Sequence, residues 1–341
     1  MLTVKAVAKQ LGQIQQEIEK HLKAGHPRYL VPEPSLGWVI SPNSSHYSLP
    51  YHSNSFGFRV VPAFVESGAH PLRLGFFGDS LVHGDEVNDV DCWVSRLQEK
   101  LPSIQVFNAG VPGYGTDQSL MRLEECTVPL DWVFLGLALC DETRNINILR
   151  IHRSENTAIP FMKPRFILTQ NGLQKVNPPF ADFHQLQENY LKPETQAFLK
   201  QYDFYYPTHP YWSQYQNKIN RMFRKFRVPL SLGKNPFKLA RKLTFKILER
   251  FAEYSASKNL KATVLLVPTE HELQEESSAF HEYIQEISRL KLLYWDLREA
   301  FVQKNLQAYA PSELWCPQGH FSIQTSEWIA DFLAKKIKEK L

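Results

Sequence analysis

The sequence predicts an α/β protein, a three-layer sandwich in which a five-stranded parallel sheet lies between helices, with an N-terminal arm and an insertion. Two observations predict this class. Five apolar segments of strand length alternate with segments of helical periodicity, a pattern typical of parallel sheets. The alternation breaks between residues 150 and 235. The expected divisions are the arm at 1–68, a core in two parts at 69–149 and 236–341, and the insertion at 150–235, a possible lid.

The composition restricts the class of protein. The chain has 341 residues, a net charge of +4, 43% hydrophobic and 22% charged residues, which is typical of a soluble globular protein. No run of apolar residues is long enough to span a membrane. The polar N-terminal helix is unlike a signal peptide, so a cytoplasmic location is the default expectation. The four cysteines show no close pairing, and no cofactor, disulfide framework or metal site is expected.

The first part of the chain contains three strand–helix units. The segment at 1–22 is predicted as an amphipathic helix, and 29–59 is rich in turn-forming residues and is expected to form loops and short strands. The units that follow are a strand at 72–77 with a helix at 89–101, a strand at 104–108 with a helix at 117–125, and a strand at 132–139.

The insertion contains a predicted hairpin at 166–176, with Asn-Gly at the turn, and a helix at 183–201 that Pro193 could interrupt. An aromatic run at 202–215 is either a local core or the lining of a lid over an apolar substrate. The stretch from Lys218 to Lys246 has ten basic residues and no acidic ones. It is either a solvated face or a docking surface for an acidic partner. No nucleic-acid module accompanies it, so no nucleic-acid partner is expected.

The α/β alternation then resumes to the end of the chain. The predicted elements are a helix at 236–258, a strand at 262–267, a helix at 272–290, a strand at 292–296 and a helix at 326–341.

Residues capable of acyl-transfer chemistry follow the strand ends. Ser80 comes directly after the first sheet strand, Gly113 lies in a glycine-rich turn after the second, and His320 precedes the last helix. Acyl transfer needs a hydroxyl, a neighbouring base and N–H donors for the oxyanion. Ser80 is the candidate nucleophile, His320 the candidate base, and the N–H groups of Ser80 and Gly113 the candidate donors. The alternative is that Ser80 belongs to an ordinary helix N-cap.

With these motifs the chain resembles the SGNH hydrolase superfamily, also called GDSL esterases. The resemblance rests on Gly78-Asp79-Ser80, the string from Asn108 to Gln118, the arm motifs at 36–38 and 54–59, and the Asn-Gly hairpin. It implies the flavodoxin-like SGNH fold. It also implies hydrolysis or transfer of an ester or thioester through an acyl-Ser80 intermediate, on a small-molecule or carrier-bound substrate. A soluble sugar, a cell-wall precursor, coenzyme A and an acidic carrier protein are candidates.

Two departures from the family pattern affect the expected site. Cys140 stands before Asp141 where the family has an asparagine whose amide donates to the oxyanion, and a thiol is a weak donor. Gln318 and Pro317 occupy the places where an aspartate usually precedes the histidine. The Gln318 side chain or a backbone carbonyl could then orient the imidazole. Asp79 and Asp141 complete the expected pocket.

Three interpretations remain open from the sequence. The first is an esterase or acyltransferase with a reduced catalytic constellation. The second is a non-catalytic binding or scaffold protein that keeps the fold. In the third, Cys140 or Cys316 has acquired a new chemical role, although a free cysteine commonly packs as a small hydrophobic residue.

Overall fold

The structure is a computed structural model that describes residues 3–23, 25, 28–46, 48–62, 72–154, 157, 159–206, 236–274, 278–302, 304, 306 and 309–341. The chain forms two compact units. One comprises residues 1–26, 31–39 and 143–243, and the other comprises residues 27–30, 40–142 and 244–341. The division predicted from the sequence, with boundaries after residues 68, 149 and 235, stays a prediction.

The second unit is built on one parallel sheet of five strands, as predicted. In spatial order the strands are Gln105–Asn108, Arg73–Phe77, Trp132–Ala138, Lys261–Val267 and Leu293–Asp296. All four strand pairs are parallel. Arg73–Phe77, the first of these five strands in the sequence, lies second in the sheet, so the next strand along the chain lies on one side of it and the third strand on the other. Doubly wound sheets bind ligands at the carboxyl edge beside such a switch point.

Apolar side chains cover both faces of this sheet. Every residue of the strand Trp132–Ala138 is buried, as expected when helices lie on both faces. Leu74 and Phe76 point to the same face because side chains alternate along a strand. They belong to a core cluster with Trp93 and Ile329, which lie on helices Trp93–Lys100 and Ile323–Lys338.

The remaining elements of the sheet unit are short. They are the helices Ser80–His83, Thr116–Glu124, Glu270–Gln274, Ser278–Arg289, Glu299–Val302 and Pro311–Leu314. The 3₁₀ helix Leu139–Ile146 and the helix Pro236–Ser257 have residues in both units.

The other unit contains helices and two small sheets. Its elements are helix Val4–Lys23, strands Leu30–Glu33 and Gly37–Ile40, helix Arg150–Arg153, strands Arg165–Thr169 and Gly172–Val176, and helices Phe183–Asn189 and Pro193–Tyr202. Leu30, the first residue of one short strand, and Ile40, the last residue of the next, belong to the sheet unit. The hairpin pairs Thr169 with Gly172, so its two-residue turn is Gln170-Asn171, one position earlier than predicted. Pro193 is the first residue of a new helix, where its missing N–H is tolerated.

Three predicted helices differ from the structure. The helix expected at 89–101 begins only at Trp93, and the Asp89 carboxylate at its predicted start accepts hydrogen bonds from Arg59 and His52. The segment 272–290 contains two helices, Glu270–Gln274 and Ser278–Arg289. The last helix begins at Ile323, where the Ser322 hydroxyl caps its first turn.

Two features of the sequence fall largely outside the described residues. The aromatic run is described only over 202–206, and the basic stretch only over 236–246. The lid and docking-surface interpretations of these stretches therefore stay predictions. Within the described part of the chain, no helix combines the length and apolar character needed to cross a bilayer.

Candidate active site

Ser80 lies where the strand Arg73–Phe77 ends at the carboxyl edge of the sheet. It is the first residue of the helix Ser80–His83, and Asp79 is the N-cap, accepting the Leu81 N–H at 2.9 Å. The helix N-cap considered from the sequence is thus present, but Asp79 provides it. The Ser80 hydroxyl remains available for another contact.

That contact is with His320. The Ser80 Oγ lies 2.8 Å from His320 Nε2, although 240 positions separate the two residues. His320 lies in a tight turn between Trp315 and Phe321, which form an antiparallel bridge. Within this turn the Cys316 N–H donates to the His320 carbonyl at 2.8 Å. The turn fixes the backbone that carries the imidazole.

Glu86 is the third member of the arrangement, and it was not among the residues expected from the sequence. Its Oε2 lies 2.6 Å from His320 Nδ1, and the Gln318 N–H donates to both carboxylate oxygens. A carboxylate only accepts, so Nδ1 carries the imidazole proton and Nε2 can accept the Ser80 hydroxyl proton. This is the hydrogen-bond order of a Ser–His–acid triad.

Gln318 therefore has a different role from the one considered from the sequence. Its side chain is exposed, and its backbone N–H holds Glu86 in place. The Glu86 carboxylate orients the imidazole, and it belongs to the segment that follows Ser80.

The backbone at Glu86 has a left-handed conformation, with φ of 72°. Residues with a side chain seldom adopt this conformation, at a cost of roughly 1–2 kcal/mol. The Tyr51 hydroxyl accepts the Glu86 N–H and compensates part of that cost. The left-handed turn directs the Glu86 carboxylate toward His320.

Arg59 holds the loop that carries Glu86. Its side chain is fully buried, and it donates to the carbonyls of His83, Gly84 and Val87. It also pairs with Asp89 at 3.0 Å. The guanidinium thus joins both ends of the loop, a geometry that the planar donor fork of arginine permits and lysine does not.

The turn after the strand Gln105–Asn108 lies directly against the Ser80 helix. A Cβ on Gly110 would come within 2.4 Å of the His83 nitrogen, so this close approach requires glycine. Gly113 follows three residues later with φ of 83° and is buried. Gly110 thus lets the turn pass beside the helix Ser80–His83.

Cys140 and Asp141 follow the strand Trp132–Ala138, close to Asp79. One ligand atom from each of these three side chains lies within 4.8 Å of the others, an arrangement that could hold a metal ion. The Cys140 thiol also lies 3.7 Å from an Asp141 oxygen. Among the described residues this is the group with metal-ligand spacing. The group includes Asp79, the residue before Ser80, and does not include His320 or Glu86.

A cavity of about 750 Å³ opens beside the triad on the Glu86 side. Its wall includes Trp315 and Tyr309, and it has three carboxylates, from Glu86, Glu270 and Glu313. No lysine or arginine is present among the described residues that line it. The described part of its lining is therefore acidic.

Comparisons with known proteins were made at the levels of sequence and structure. No family model matches the sequence, and no curated protein matches it. Several solved structures are similar in fold. A member of the lipolytic protein G-D-S-L family from Veillonella parvula has a TM-score of 0.42 at 10% identity, over 79% of this chain and 100% of its own.

Two esterases are similar to the same extent. The psychrotrophic esterase EstA from a Pseudoalteromonas species has a TM-score of 0.42 at 12% identity, over 78% of this chain and 97% of its own. The acetylxylan esterase Axe2 from Geobacillus stearothermophilus has a TM-score of 0.43 at 14% identity, over 78% and 94%. Because these scores lie below 0.5, the function is inferred below from the side chains of this chain.

Proposed function

We propose that this protein is a serine-dependent ester hydrolase that uses Ser80, His320 and Glu86. The observation that carries the proposal is the pair of contacts made by one imidazole, 2.8 Å to the Ser80 hydroxyl and 2.6 Å to the Glu86 carboxylate. The proposal completes the constellation expected from the sequence, in which the carboxylate was missing.

Acylation begins when Ser80 Oγ attacks the ester carbonyl carbon and His320 Nε2 takes the hydroxyl proton. A bond forms between Oγ and carbon, and the carbonyl π electrons move to the oxygen. The resulting imidazolium is stabilised by Glu86. His320 then returns the proton to the alcohol oxygen as the carbon–oxygen bond of the ester breaks, which releases the alcohol and leaves acyl-Ser80.

Deacylation repeats these steps with water as the nucleophile. His320 takes a proton from water as the hydroxide oxygen bonds to the acyl carbon. It then protonates Ser80 Oγ as the acid leaves. An alcohol in place of water would give acyl transfer by the same proton movements, so hydrolysis and transfer share one site.

The N–H groups of Ser80 and Gly113 are the proposed oxyanion donors. The N–H groups of a helix's first turn have no partner within the helix, and Ser80 begins one. Cys140 stands where the resembled family has an amide donor. Loss of one donor typically costs about 2.7–4 kcal/mol in the activation barrier, so we expect turnover to be slow for a complete triad.

The cavity beside Glu86 supports an uncharged or cationic substrate group over an anionic one, because its three carboxylates repel anions. Coenzyme A and an acidic carrier protein remain predictions that depend on the basic stretch at 218–246. The alternative of a non-catalytic scaffold predicts no reaction at Ser80.

Labelling with a fluorophosphonate tests the proposal. This reagent forms an Oγ–phosphorus bond with an activated serine and releases fluoride. We expect the parent protein to be labelled and to hydrolyse 4-nitrophenyl acetate, and Ser80→Ala and His320→Ala to do neither. Ser257→Ala, which changes an exposed helical serine, is the matched control and should react as the parent does. Equal labelling of the parent and Ser80→Ala would reject the proposal.

A further inference from the structure

A second carboxylate lies beside the imidazole, on the side opposite Glu86. Asp85 Oδ2 is 4.0 Å from His320 Nε2, and Asp85 Oδ1 is 2.5 Å from His83 Nδ1. His83 Nε2 lies 2.9 Å from the Tyr29 hydroxyl. A buried chain of three side chains therefore ends at the catalytic imidazole.

The hydrogen-bond order of this chain follows from its chemistry. Burial lowers the pKa of His83, so its ring is neutral, with one donor and one acceptor nitrogen. The Asp85 carboxylate accepts from Nδ1–H, which leaves Nε2 to accept from the Tyr29 hydroxyl. Burial raises the pKa of Tyr29, so that hydroxyl keeps its proton. Tyr29 and His83 thus hold Asp85 without neutralising it.

Asp85 itself is ionised. Burial alone would raise its pKa, but the hydrogen bond from His83 and the positive charge of Arg59 lower it below its ordinary value. Burial also lowers the pKa of His46 and raises that of Tyr51, so both are uncharged at neutral pH. Among the described residues, the charged groups beside Asp85 are Arg59, the adjacent Glu86 and, when it forms, the His320 imidazolium.

The backbone keeps Asp85 in this position. Its N–H donates to the Ser80 carbonyl at 3.1 Å, and Arg59 Nη1 donates to the His83 carbonyl at 2.9 Å. Because residues on both sides of the carboxylate are held, its distance from the imidazole is set by the fold.

We propose that Asp85 is a positioning residue that stabilises the His320 imidazolium electrostatically from its Nε2 side. The inference rests on the proposed function. A separation of 4.0 Å is too long for a hydrogen bond, so the interaction is between charges. It is absent while the imidazole is neutral and appears when Nε2 takes the Ser80 proton. Two carboxylates, Glu86 and Asp85, then share one developing positive charge.

The test is the pH dependence of kcat/KM for 4-nitrophenyl acetate in Asp85→Asn. Without the second negative charge the protonated imidazole is less stable, so the acidic limb of the profile should move about one unit to lower pH. At the plateau, kcat should fall about tenfold with little change in KM. Asp331→Asn removes an exposed carboxylate from the last helix and is the matched control. Its acidic limb and its kcat should equal those of the parent.

A purely structural role for Asp85 predicts a different result. Asp85→Asn would then lower the folded fraction or the rate at every pH and leave the limb in place, which would overturn the inference. Asp85→Ser removes the same charge with a smaller side chain. If Asp85→Asn does not fold, the position of the acidic limb is measured in Asp85→Ser instead. If turnover in the parent depends on Ser80 but the acidic limb of the pH profile does not move in the Asp85 variants, this inference alone is rejected. No Ser80-dependent turnover in the parent rejects the proposed function and this inference together.

Discussion

Replacing Glu86 by glutamine is the most direct perturbation of the proposed mechanism. The change keeps the size of the side chain and removes its charge. It also places an amide opposite His320 Nδ1. An amide nitrogen facing Nδ1 would favour the tautomer that carries its proton on Nε2, and that tautomer cannot accept the Ser80 proton.

The magnitude follows from the geometry. An Oε2–Nδ1 distance of 2.6 Å corresponds to charge centres roughly 4 Å apart, and the two side chains are 10% and 15% exposed. At an effective dielectric constant of about 20, the attraction between the carboxylate and the imidazolium is about 4 kcal/mol. This attraction exists mainly in the transition state, so its loss corresponds to about a thousandfold decrease in kcat.

The assay is steady-state hydrolysis of 4-nitrophenyl acetate, with thermal unfolding measured on the same samples. Glu86→Gln should lose kcat and keep KM near that of the parent. Glu86→Asp keeps the charge on a shorter side chain and should retain more activity than Glu86→Gln. The control is Glu299→Gln, which removes a half-exposed partner of Lys336 away from the triad.

A kcat for Glu86→Gln within threefold of the parent value would contradict the role proposed for Glu86. It would mean that the short contact with Nδ1 contributes nothing to the transition state. A large loss of kcat in Glu86→Gln that Glu299→Gln reproduces would also contradict this role, because the loss would then result from the change in net charge.

Two further predictions concern the oxyanion site and the buried histidine. Cys140→Asn should raise kcat for 4-nitrophenyl acetate by about ten- to a hundredfold, because an amide is a stronger donor than a thiol; an unchanged or lower kcat would contradict the role assigned to this position. The free energy of unfolding should fall as the pH is lowered from 7 to 5, because burial lowers the pKa of His83 below its ordinary 6.5 and the unfolded chain binds the extra proton. Urea titrations of the parent and His83→Gln measure this, with a smaller decrease expected in the variant, and equal slopes would exclude His83 as the cause.

Local sequence patterns were sufficient to predict the sheet. The strand Trp132–Ala138 is apolar throughout and buried throughout, and its neighbours in the chain have helical periodicity. These patterns extend over only a few residues, so they can be recognised in the sequence without knowledge of the fold. The ends of helices were less predictable. One helix begins at Trp93 and not at Asp89, whose carboxylate instead pairs with Arg59, thirty positions away in the sequence.

The missing acid shows why part of the site was not predictable. The resembled family has a carboxylate close before the histidine, where this sequence has Gln318, whereas Glu86 lies six residues after Ser80. One signal was present in the pair Asp85-Glu86, two consecutive carboxylates directly after the nucleophile helix. Neither periodicity nor composition indicates that a glutamate adopts a left-handed backbone there.

Residue types and their order along the chain were enough to predict the parallel sheet and to name Ser80 and His320 as candidates for acyl chemistry. Alternation of apolar segments and residue type carry that information directly. Which carboxylate completes the hydrogen-bond chain became apparent only in the folded chain. That choice depends on a buried guanidinium, a tyrosine hydroxyl and one left-handed backbone angle, and these act between residues brought together only by folding.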